Sequence, residues 1–238
     1  MTTHWKPLSL SVSTVLLLLC VVIIISPTLR TLALSLDQAI TLFLNHLFIS
    51  KKIGLELWQY TNKNAQGIRD IIPILCLAAF YIYTSNNKSL ALANIISLIF
   101  YLELLCFIKW EFASYFNISR DSPSLFLEGY IKISELMNDP TIKDASTRSI
   151  PGDHALVLIF IATYVTAFYP RRLQIITWIL AILIVIPRLI VGAHWPSDVL
   201  LGAVIAIFYG QLLISTPIHY YTSNKISHYL KKYLFIKK

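Results

Sequence analysis

The chain has 238 residues, of which 56% are hydrophobic and only 13% are charged, and its mean hydropathy is +0.67. This composition excludes an ordinary soluble domain and indicates a membrane protein with several spanning segments. The formal net charge of +8 therefore bears on orientation in the membrane and not on nucleic-acid binding. The three cysteines lie inside apolar stretches, so neither a disulfide framework nor a zinc site is indicated.

Six apolar segments are predicted to span the membrane, because about 20 apolar residues cross a hydrocarbon core of about 30 Å. The first segment is followed by no small-residue cleavage motif, so we expect it to remain as a helix and not to be removed as a signal peptide. The six segments cover residues 8–26, 71–84, 90–108, 154–169, 173–186 and 199–214.

Two segments between these spans are predicted to stay outside the hydrocarbon core. Residues 34–52, LSLDQAITLFLNHLFISKK, have apolar side chains at helical spacing but carry Asp37, Asn45 and His46, which predicts an amphipathic helix at the membrane interface. Residues 109–153 are rich in Ser, Asp, Asn and Pro. They are predicted to form an extramembrane loop with a short helix around IKISELM.

The distribution of Lys and Arg predicts the orientation of the bundle. The turns SNNK and YPRR are basic, and by the positive-inside rule these turns and both chain termini lie in the cytoplasm. The C-terminal tail agrees, since it carries Lys225, Lys231, Lys232, Lys237 and Lys238. This orientation places one longer basic loop outside, which argues against it, but cations in a longer loop count for less under the rule. The cations of that loop are Lys51, Lys52, Lys63 and Arg69. The loop at 109–153 and the WPSD turn then lie together on the outer face.

The chain is therefore predicted to be a single all-α, membrane-embedded domain over residues 1–238. No internal repeat or linker divides it. Its predicted parts are N-terminal spans at about 8–108, a catalytic outer loop and core at about 109–214, and a basic cytoplasmic tail at about 215–238.

The turn before the last predicted span concentrates polar side chains. Arg188, His194 and Asp198 form the pattern R-x5-H-x3-D. A helix that begins near Pro196 places Asp198 in its first turn, where an anion is favoured. We expect Asp198 to accept a hydrogen bond from His194, which fixes the tautomer and leaves the other ring nitrogen as a nucleophile. His154, at the start of the fourth predicted span, is placed to protonate a departing oxygen.

Four cations on the predicted outer face suit a phosphoryl group, because they would neutralise its developing charge without a metal ion. Two of them, Lys143 and Arg148, lie in a polar loop that would carry cations in any case. Asp153 is either the N-cap of the fourth span or a catalytic carboxylate. The four cations are Arg120, Lys143, Arg148 and Arg188.

At these residues the sequence resembles a known family. PGDH at 151–154 and R-x5-H-x3-D are similar to the second and third signatures of the type 2 phosphatidic acid phosphatase (PAP2) superfamily, which includes the vanadium haloperoxidases. The resemblance implies a helical core of that type and a reaction without metal or cofactor. It implies that His194 is phosphorylated, that Asp198 orients it and that His154 is the general acid. The residues implied to bind substrate phosphate are Arg120, Arg188 and Gly152.

Two departures from the family pattern affect the phosphate site. The second signature usually reads Pro-Ser-Gly-His, so Gly152 and Asp153 replace its two middle residues. The first signature usually has a lysine seven residues before an Arg-Pro pair, but Ala113 stands seven residues before Arg120 and an aspartate follows it. Lys143 is the candidate replacement for the missing lysine.

One branch of the superfamily is more similar still, over the stretches SRDSPSL, ISELMNDPTIKDAS, PGDHALVL and PRLIVGAHWPSD. Enzymes of that branch transfer a phosphoryl group from undecaprenyl diphosphate to the 1-phosphate of lipid A, at the periplasmic side of the bacterial inner membrane. The resemblance implies these membrane lipids as donor and acceptor, with no obligatory protein partner.

Three other functions stay open at this point. Transfer of the phosphoryl group to water would make the protein a lipid phosphate or undecaprenyl diphosphate phosphatase. A transporter or channel is a second alternative, because ionisable residues within a membrane often mark translocation routes, although here they cluster on one face. A zinc site built from two histidines and an aspartate is a third, and the neighbouring arginines oppose it.

Overall fold

Every regular element of the described chain is a helix, which confirms the predicted all-α class. Three cations of the orientation argument lie outside what is described, namely Lys237, Lys238 and the side chain of Arg69. The computed structural model describes residues 7–63 and 66–233, with side chains except those of 7–9, 24–25 and 66–71.

The helices differ widely in length, and the short ones lie in the loops that flank the long ones. A π-helical turn, Asn45–Ser50, directly continues the second α-helix. In chain order the α-helices are α1 (Pro7–Ile25), α2 (Pro27–Leu44), α3 (Leu55–Thr61), α4 (Gln66–Thr84), α5 (Lys88–Tyr115), α6 (Pro123–Phe126), α7 (Ile133–Leu136), α8 (Asp153–Phe168), α9 (Arg171–Ile190), α10 (Pro196–Ser215) and α11 (Ile218–Tyr233).

All six segments predicted to span the membrane are helical. Three of them, in α5, α9 and α10, belong to the helices that are long and apolar enough to cross a bilayer. The other three, in α1, α4 and α8, are shorter apolar helices within the described residues. The expected polytopic membrane bundle is therefore present.

The segment predicted to be an interfacial helix is helical, and it is also a candidate membrane span. Together with the π-helical turn, α2 forms a helical segment, Pro27–Ser50, of 24 residues that is also long and apolar enough to cross a membrane. The interfacial prediction relied on three polar side chains, but Asp37 and Asn45 are buried against the rest of the protein. Only His46 is exposed. A polar group that has a protein partner does not face lipid, so it does not exclude a span.

Two glycines allow α8 and α10 to approach closely near their N-terminal ends. The backbone N–H of Gly152 donates to the carbonyl of Asp198 over 2.9 Å. A Cβ atom at Gly202 would lie only 2.7 Å from the carbonyl oxygen of Gly152. The absence of a side chain at Gly202 therefore sets this crossing, which brings the first turns of α8 and α10 together.

Gly202→Ala is expected to destabilise the protein by about 1–3 kcal/mol, because the new methyl group must push backbone atoms apart. We expect a lower thermal unfolding temperature in detergent. Leu200→Ala is the matched control, since this side chain of the same helix is 60% exposed, and it should unfold near the wild-type temperature. A Gly202→Ala protein as stable as wild type would mean that α8 and α10 can move apart without a loss of stability.

The loop between α5 and α8 is ordered by its own hydrogen bonds over the ends of α2 and α9. The buried Asp144 carboxylate accepts from the backbone N–H of Ser134 over 2.8 Å and from its hydroxyl over 3.1 Å. The Ser124 hydroxyl donates to the Asp144 carbonyl. Asn45 pairs with both backbone groups of Ile131. The short helix expected around IKISELM is α7.

Candidate active site

Three helix ends bring the predicted site residues together. His154 lies in the first turn of α8, Arg188 in the last turn of α9 and Asp198 in the first turn of α10. His194 lies in the connection between α9 and α10, and its ring centroid is 6.5 Å from that of His154. Arg120 reaches the same place from the loop after α5. The motifs that are separate in sequence form one site.

His194 is held by a backbone carbonyl. Its Nδ1 donates to the carbonyl oxygen of Ser149 over 2.7 Å, and its side chain is buried. The expected hydrogen bond from His194 to Asp198 is not formed, so the prediction for this contact was wrong. The consequence for the ring is nevertheless the expected one, because a proton fixed on Nδ1 leaves the lone pair on Nε2.

Asp198 is fully buried and organises the start of α10. One oxygen accepts from the backbone N–H of Trp195 over 3.1 Å, which closes a capping box at the helix N-terminus. The other oxygen accepts from Nη1 of Arg120 over 2.8 Å. Helix α10 begins at Pro196, as predicted. Both Asp198 oxygens therefore have other hydrogen-bond partners, and neither is bonded to the nearby ring of His194.

Arg188 is buried beside the other histidine. Its Nη2 donates to Nε2 of His154 over 3.1 Å, and its Nη1 donates to the carbonyl of Lys143 over 3.2 Å. Only 5% of Arg188 is exposed. A buried guanidinium with donors directed toward the histidine pair is the arrangement that favours an anion between them.

Arg120 lies between two carboxylates, one of which was not predicted. Its Nη1 donates to Asp198, and its Nη2 donates to Asp37 of α2 over 2.8 Å. Nη1 also donates to the hydroxyl of Ser197, and the guanidinium stacks at 4.7 Å over the ring of Trp195. Arg120 is therefore firmly held, but by the protein's own groups.

The other two predicted cations have looser positions. Lys143 contacts the site through its backbone, which accepts from Arg188, while its side chain is exposed and acts on His154 only electrostatically. Arg148 is exposed and pairs with Arg120 through a short parallel backbone bridge. The structure therefore gives neither side chain a direct contact within the site.

Asp153 and Gly152 occupy positions that differ from the predictions. Asp153 is the first residue of α8 and is not its N-cap, which is Gly152. The Asp153 carboxylate pairs with Lys109 of α5, a lysine that the sequence analysis did not select. The N–H of Gly152 donates to the carbonyl of Asp198, a hydrogen bond between the two helices, and the phosphate contact of Gly152 stays a prediction.

Two residues of the site, Asp37 and Ser149, were missed by sequence reasoning for different reasons. Asp37 is an acidic residue in an apolar helix, a signal that points to a buried polar partner as well as to an interfacial position. Ser149 contributes its backbone carbonyl, which any residue type carries. No sequence pattern could have selected it.

Burial lowers the pKa of His194 below its ordinary value of 6.5, because it disfavours the charged imidazolium, and Arg188 acts in the same direction. The Ser149 carbonyl, Asp198 and Asp153 raise the pKa of His194 without reversing the shift. The imidazole is therefore neutral at neutral pH, which is the state that a nucleophile requires.

If His194 is the nucleophile predicted from the sequence, activity should decline only on the acidic side of pH 6.5. Protonation removes the lone pair, and a lowered pKa moves this loss to lower pH. The measurement is kcat/KM against pH, with two donors whose phosphate groups ionise at different pH, so that the titration of the enzyme is separated from that of the substrate. A shared midpoint at or above pH 6.5 would contradict the buried, neutral imidazole.

With this geometry in place, comparison with known proteins gives the family. The PAP2 superfamily model matches residues 89–219, more than half of the chain. The chain belongs to the PAP2 superfamily. The matched region contains α8, α9, α10 and the loop with Arg120, so the site lies inside it, whereas Asp37 lies outside.

A curated relative agrees with the family assignment. Lipid A 1-diphosphate synthase of Escherichia coli (strain K12) is 28% identical over 186 residues, which cover 78% of this chain and 78% of that protein. No solved structure matches the chain. Together the family and the relative make this PAP2 protein a membrane enzyme of the lipid phosphatase or phosphotransferase type.

Proposed function

We propose that this PAP2 protein transfers the terminal phosphoryl group of undecaprenyl diphosphate to the 1-phosphate of lipid A through a phosphohistidine at His194. The observation that carries the phosphoryl chemistry is the fixed tautomer of His194 beside the buried pair of Arg188 and His154. The choice of lipid A is supported by the name of the 28% identical relative. A single domain holds the whole site.

In the first step Nε2 of His194 attacks the terminal phosphorus of the donor. A nitrogen–phosphorus bond forms as the phosphorus bond to the bridging oxygen breaks, and undecaprenyl phosphate leaves with that electron pair. Nε2 of His154 accepts from Arg188 in the free enzyme and is unprotonated there, so His154 takes a proton from the bound diphosphate and gives it to the leaving oxygen. Arg188 binds the phosphoryl oxygens, and its donation to phosphate releases His154 from the contact that the two residues make in the free enzyme.

In the second step an oxygen of the lipid A 1-phosphate attacks the phosphohistidine. The nitrogen–phosphorus bond breaks and His194 recovers its lone pair, while His154 receives the proton of the incoming phosphate and loses it to solvent, which restores the free enzyme. Water in place of lipid A would give free phosphate by the same route. The alternative is therefore a lipid phosphate or undecaprenyl diphosphate phosphatase, which shares the first step entirely.

The fate of the labelled phosphate distinguishes these two reactions. Purified protein receives undecaprenyl diphosphate labelled at its terminal phosphate, with and without lipid A. The transferase predicts label on lipid A and slow donor turnover without it. Label released only as free phosphate, at the same rate with and without lipid A, would establish the phosphatase and overturn the proposed acceptor.

The site is proposed to face the periplasm from the bacterial inner membrane. Arg171 and Arg172 lie in the first turn of α9, and Arg188 of the site lies in its last turn, at the opposite end. The basic helix α11 likewise follows the end of α10 that lies away from Asp198. If the basic turns and termini are cytoplasmic, the site opens to the periplasm.

Phosphoryl transfer is expected to be insensitive to metal chelators, because arginine and histidine side chains supply the positive charge that a metal ion would otherwise provide. Turnover of the donor should be unchanged after dialysis against EDTA. Adding Mg²⁺ or Zn²⁺ back is the control, and neither should stimulate the dialysed enzyme. Loss of turnover that a divalent ion restores would contradict the metal-free mechanism.

A further inference from the structure

Asp37 is a buried carboxylate beside the site that accepts three hydrogen bonds. It lies in the middle of α2 and is 3% exposed. Its Oδ1 accepts from the backbone N–H of Ser197 over 2.9 Å, and its Oδ2 accepts from the Ser197 hydroxyl and from Nη2 of Arg120. This one side chain therefore ties α2 both to the first turn of α10 and to the loop that carries Arg120.

The first of these ties decides where a substrate phosphate can lie. Free N–H groups at a helix N-terminus attract anions, and the start of α10 would otherwise present them next to His194. Asp37 occupies the N–H of Ser197, and Asp198 occupies the N–H of Trp195. With both N–H groups taken by carboxylates, the start of α10 does not offer them to a phosphate, so binding of the phosphate depends on side-chain donors such as Arg188.

The second tie decides what Arg120 does. Its guanidinium donates to Asp37, Asp198 and Ser197 and stacks on Trp195. Two carboxylates flank this single cation, so it does not present an excess of positive charge to a ligand. Arg188, in contrast, donates to the ring of His154 and to the carbonyl of Lys143. The two arginines of the site thus differ in what they offer to a phosphate.

We propose that Asp37 is a positioning residue, which holds Arg120 and the first turn of α10 so that Asp198 and the His194 loop keep their catalytic geometry, while Arg188 binds the phosphate. This inference rests on the proposed phosphoryl transfer. It adds α2 to the active site, although α2 lies outside the residues that match the PAP2 superfamily.

The test is Asp37→Asn, which keeps the shape of the side chain but replaces one acceptor oxygen by a donor that repels the neighbouring N–H groups. We expect kcat for donor turnover to fall by about 10-fold to 100-fold because the catalytic groups are misplaced. The KM for the donor and the inhibition constant of inorganic phosphate should stay within about twofold of wild type, since ground-state binding through Arg188 is intact.

Two further variants sharpen the result. Ser197→Ala removes only the hydroxyl arm of the network and should lower kcat by about threefold, and the double variant should be no slower than Asp37→Asn alone because both changes break one network. Thr41→Val is the control. It lies one turn further along α2, is 1% exposed, and its hydroxyl makes no hydrogen bond within the described residues. It should retain wild-type kcat.

Several outcomes would overturn the proposal. A folded Asp37→Asn protein with wild-type kcat would show that Asp37 does not position the catalytic groups. If, in addition, its KM and its phosphate inhibition constant were raised, Asp37 and Arg120 would instead act in phosphate binding. If Asp37→Asn does not fold, Ser197→Ala tests the proposal in its place: a lower kcat with unchanged KM supports the positioning role, and an unchanged kcat contradicts it. Donor turnover counts transfer to water and to lipid equally, so the identity of the acceptor does not affect the result.

Failure of the proposed function is distinguishable from failure of this inference. It would appear as wild-type protein that consumes no lipid diphosphate. Stabilisation by inorganic phosphate in thermal unfolding then serves as the readout. Asp37→Asn should keep that stabilisation and Arg188→Lys should lose it, whereas loss in Asp37→Asn would overturn the positioning role.

Discussion

Replacing His194 with alanine is expected to abolish turnover of undecaprenyl diphosphate, with kcat lowered by at least about 1,000-fold. The ring is the only protein group in the proposed mechanism that bonds to phosphorus. Its Nδ1 proton is fixed by the Ser149 carbonyl, so Nε2 is the nitrogen that attacks. The second readout is the intermediate itself: wild-type protein should retain the label of the donor in an acid-labile, base-stable form, and His194→Ala should retain none.

The matched control for this variant is His46→Ala. His46 is exposed and lies beyond the middle of the Pro27–Ser50 segment, outside the site. It should leave both turnover and labelling at the wild-type level. If His194→Ala protein still accumulated a labelled phosphohistidine, another ring would be the nucleophile, and His154 would be the first to examine.

Arg188→Lys is expected to lower kcat/KM by about 100-fold, although the positive charge is kept. The guanidinium donates through Nη1 to the Lys143 carbonyl and through Nη2 to His154 at the same time. A single ammonium group cannot hold both acceptors and also bind two phosphoryl oxygens. We expect a raised KM for the donor and weaker inhibition by inorganic phosphate, which is the opposite of the pattern expected for Asp37→Asn.

Arg172→Lys is the control for the Arg188 substitution. Arg172 is exposed in the first turn of α9, at the end opposite to Arg188, and the same change there should leave the kinetics unchanged. An Arg188→Lys enzyme with kcat/KM within about threefold of wild type would mean that bidentate binding of phosphate is not required at this position. Arg120 would then be the principal phosphate ligand.

The fold shows which features a linear pattern can predict. Runs of apolar residues identified six helices, because a membrane requires long apolar segments with internally satisfied backbones. The same criterion does not distinguish an interfacial helix from a span at residues 34–52, since Asp37 and Asn45 count against a span wherever their side chains point. Their partners are Ser197 of α10 and two residues of the outer loop, Arg120 and Ile131, all far away in sequence.

The candidate site divides in the same way. Arg188, His194 and Asp198 stand at fixed offsets around one turn, so their proximity follows from local geometry, and His154 was selected through its own short motif. The partner of each ring was not predictable. The spacing of the two residues along the chain would allow Asp198 to accept a hydrogen bond from His194. In the structure its two oxygens accept instead from the backbone N–H of Trp195 and from Arg120.

The sequence by itself determined the membrane class, the helices, the family signatures and the residue types that the chemistry requires. Only the tertiary structure decided which group orients His194, that Asp37 joins the site, and that Arg120 and Arg188 lie in different electrostatic surroundings. The physical reason is that periodicity and spacing act within one helix or turn. Hydrogen bonds to backbone carbonyls and between helices depend on how the helices pack, which distances along the chain do not encode.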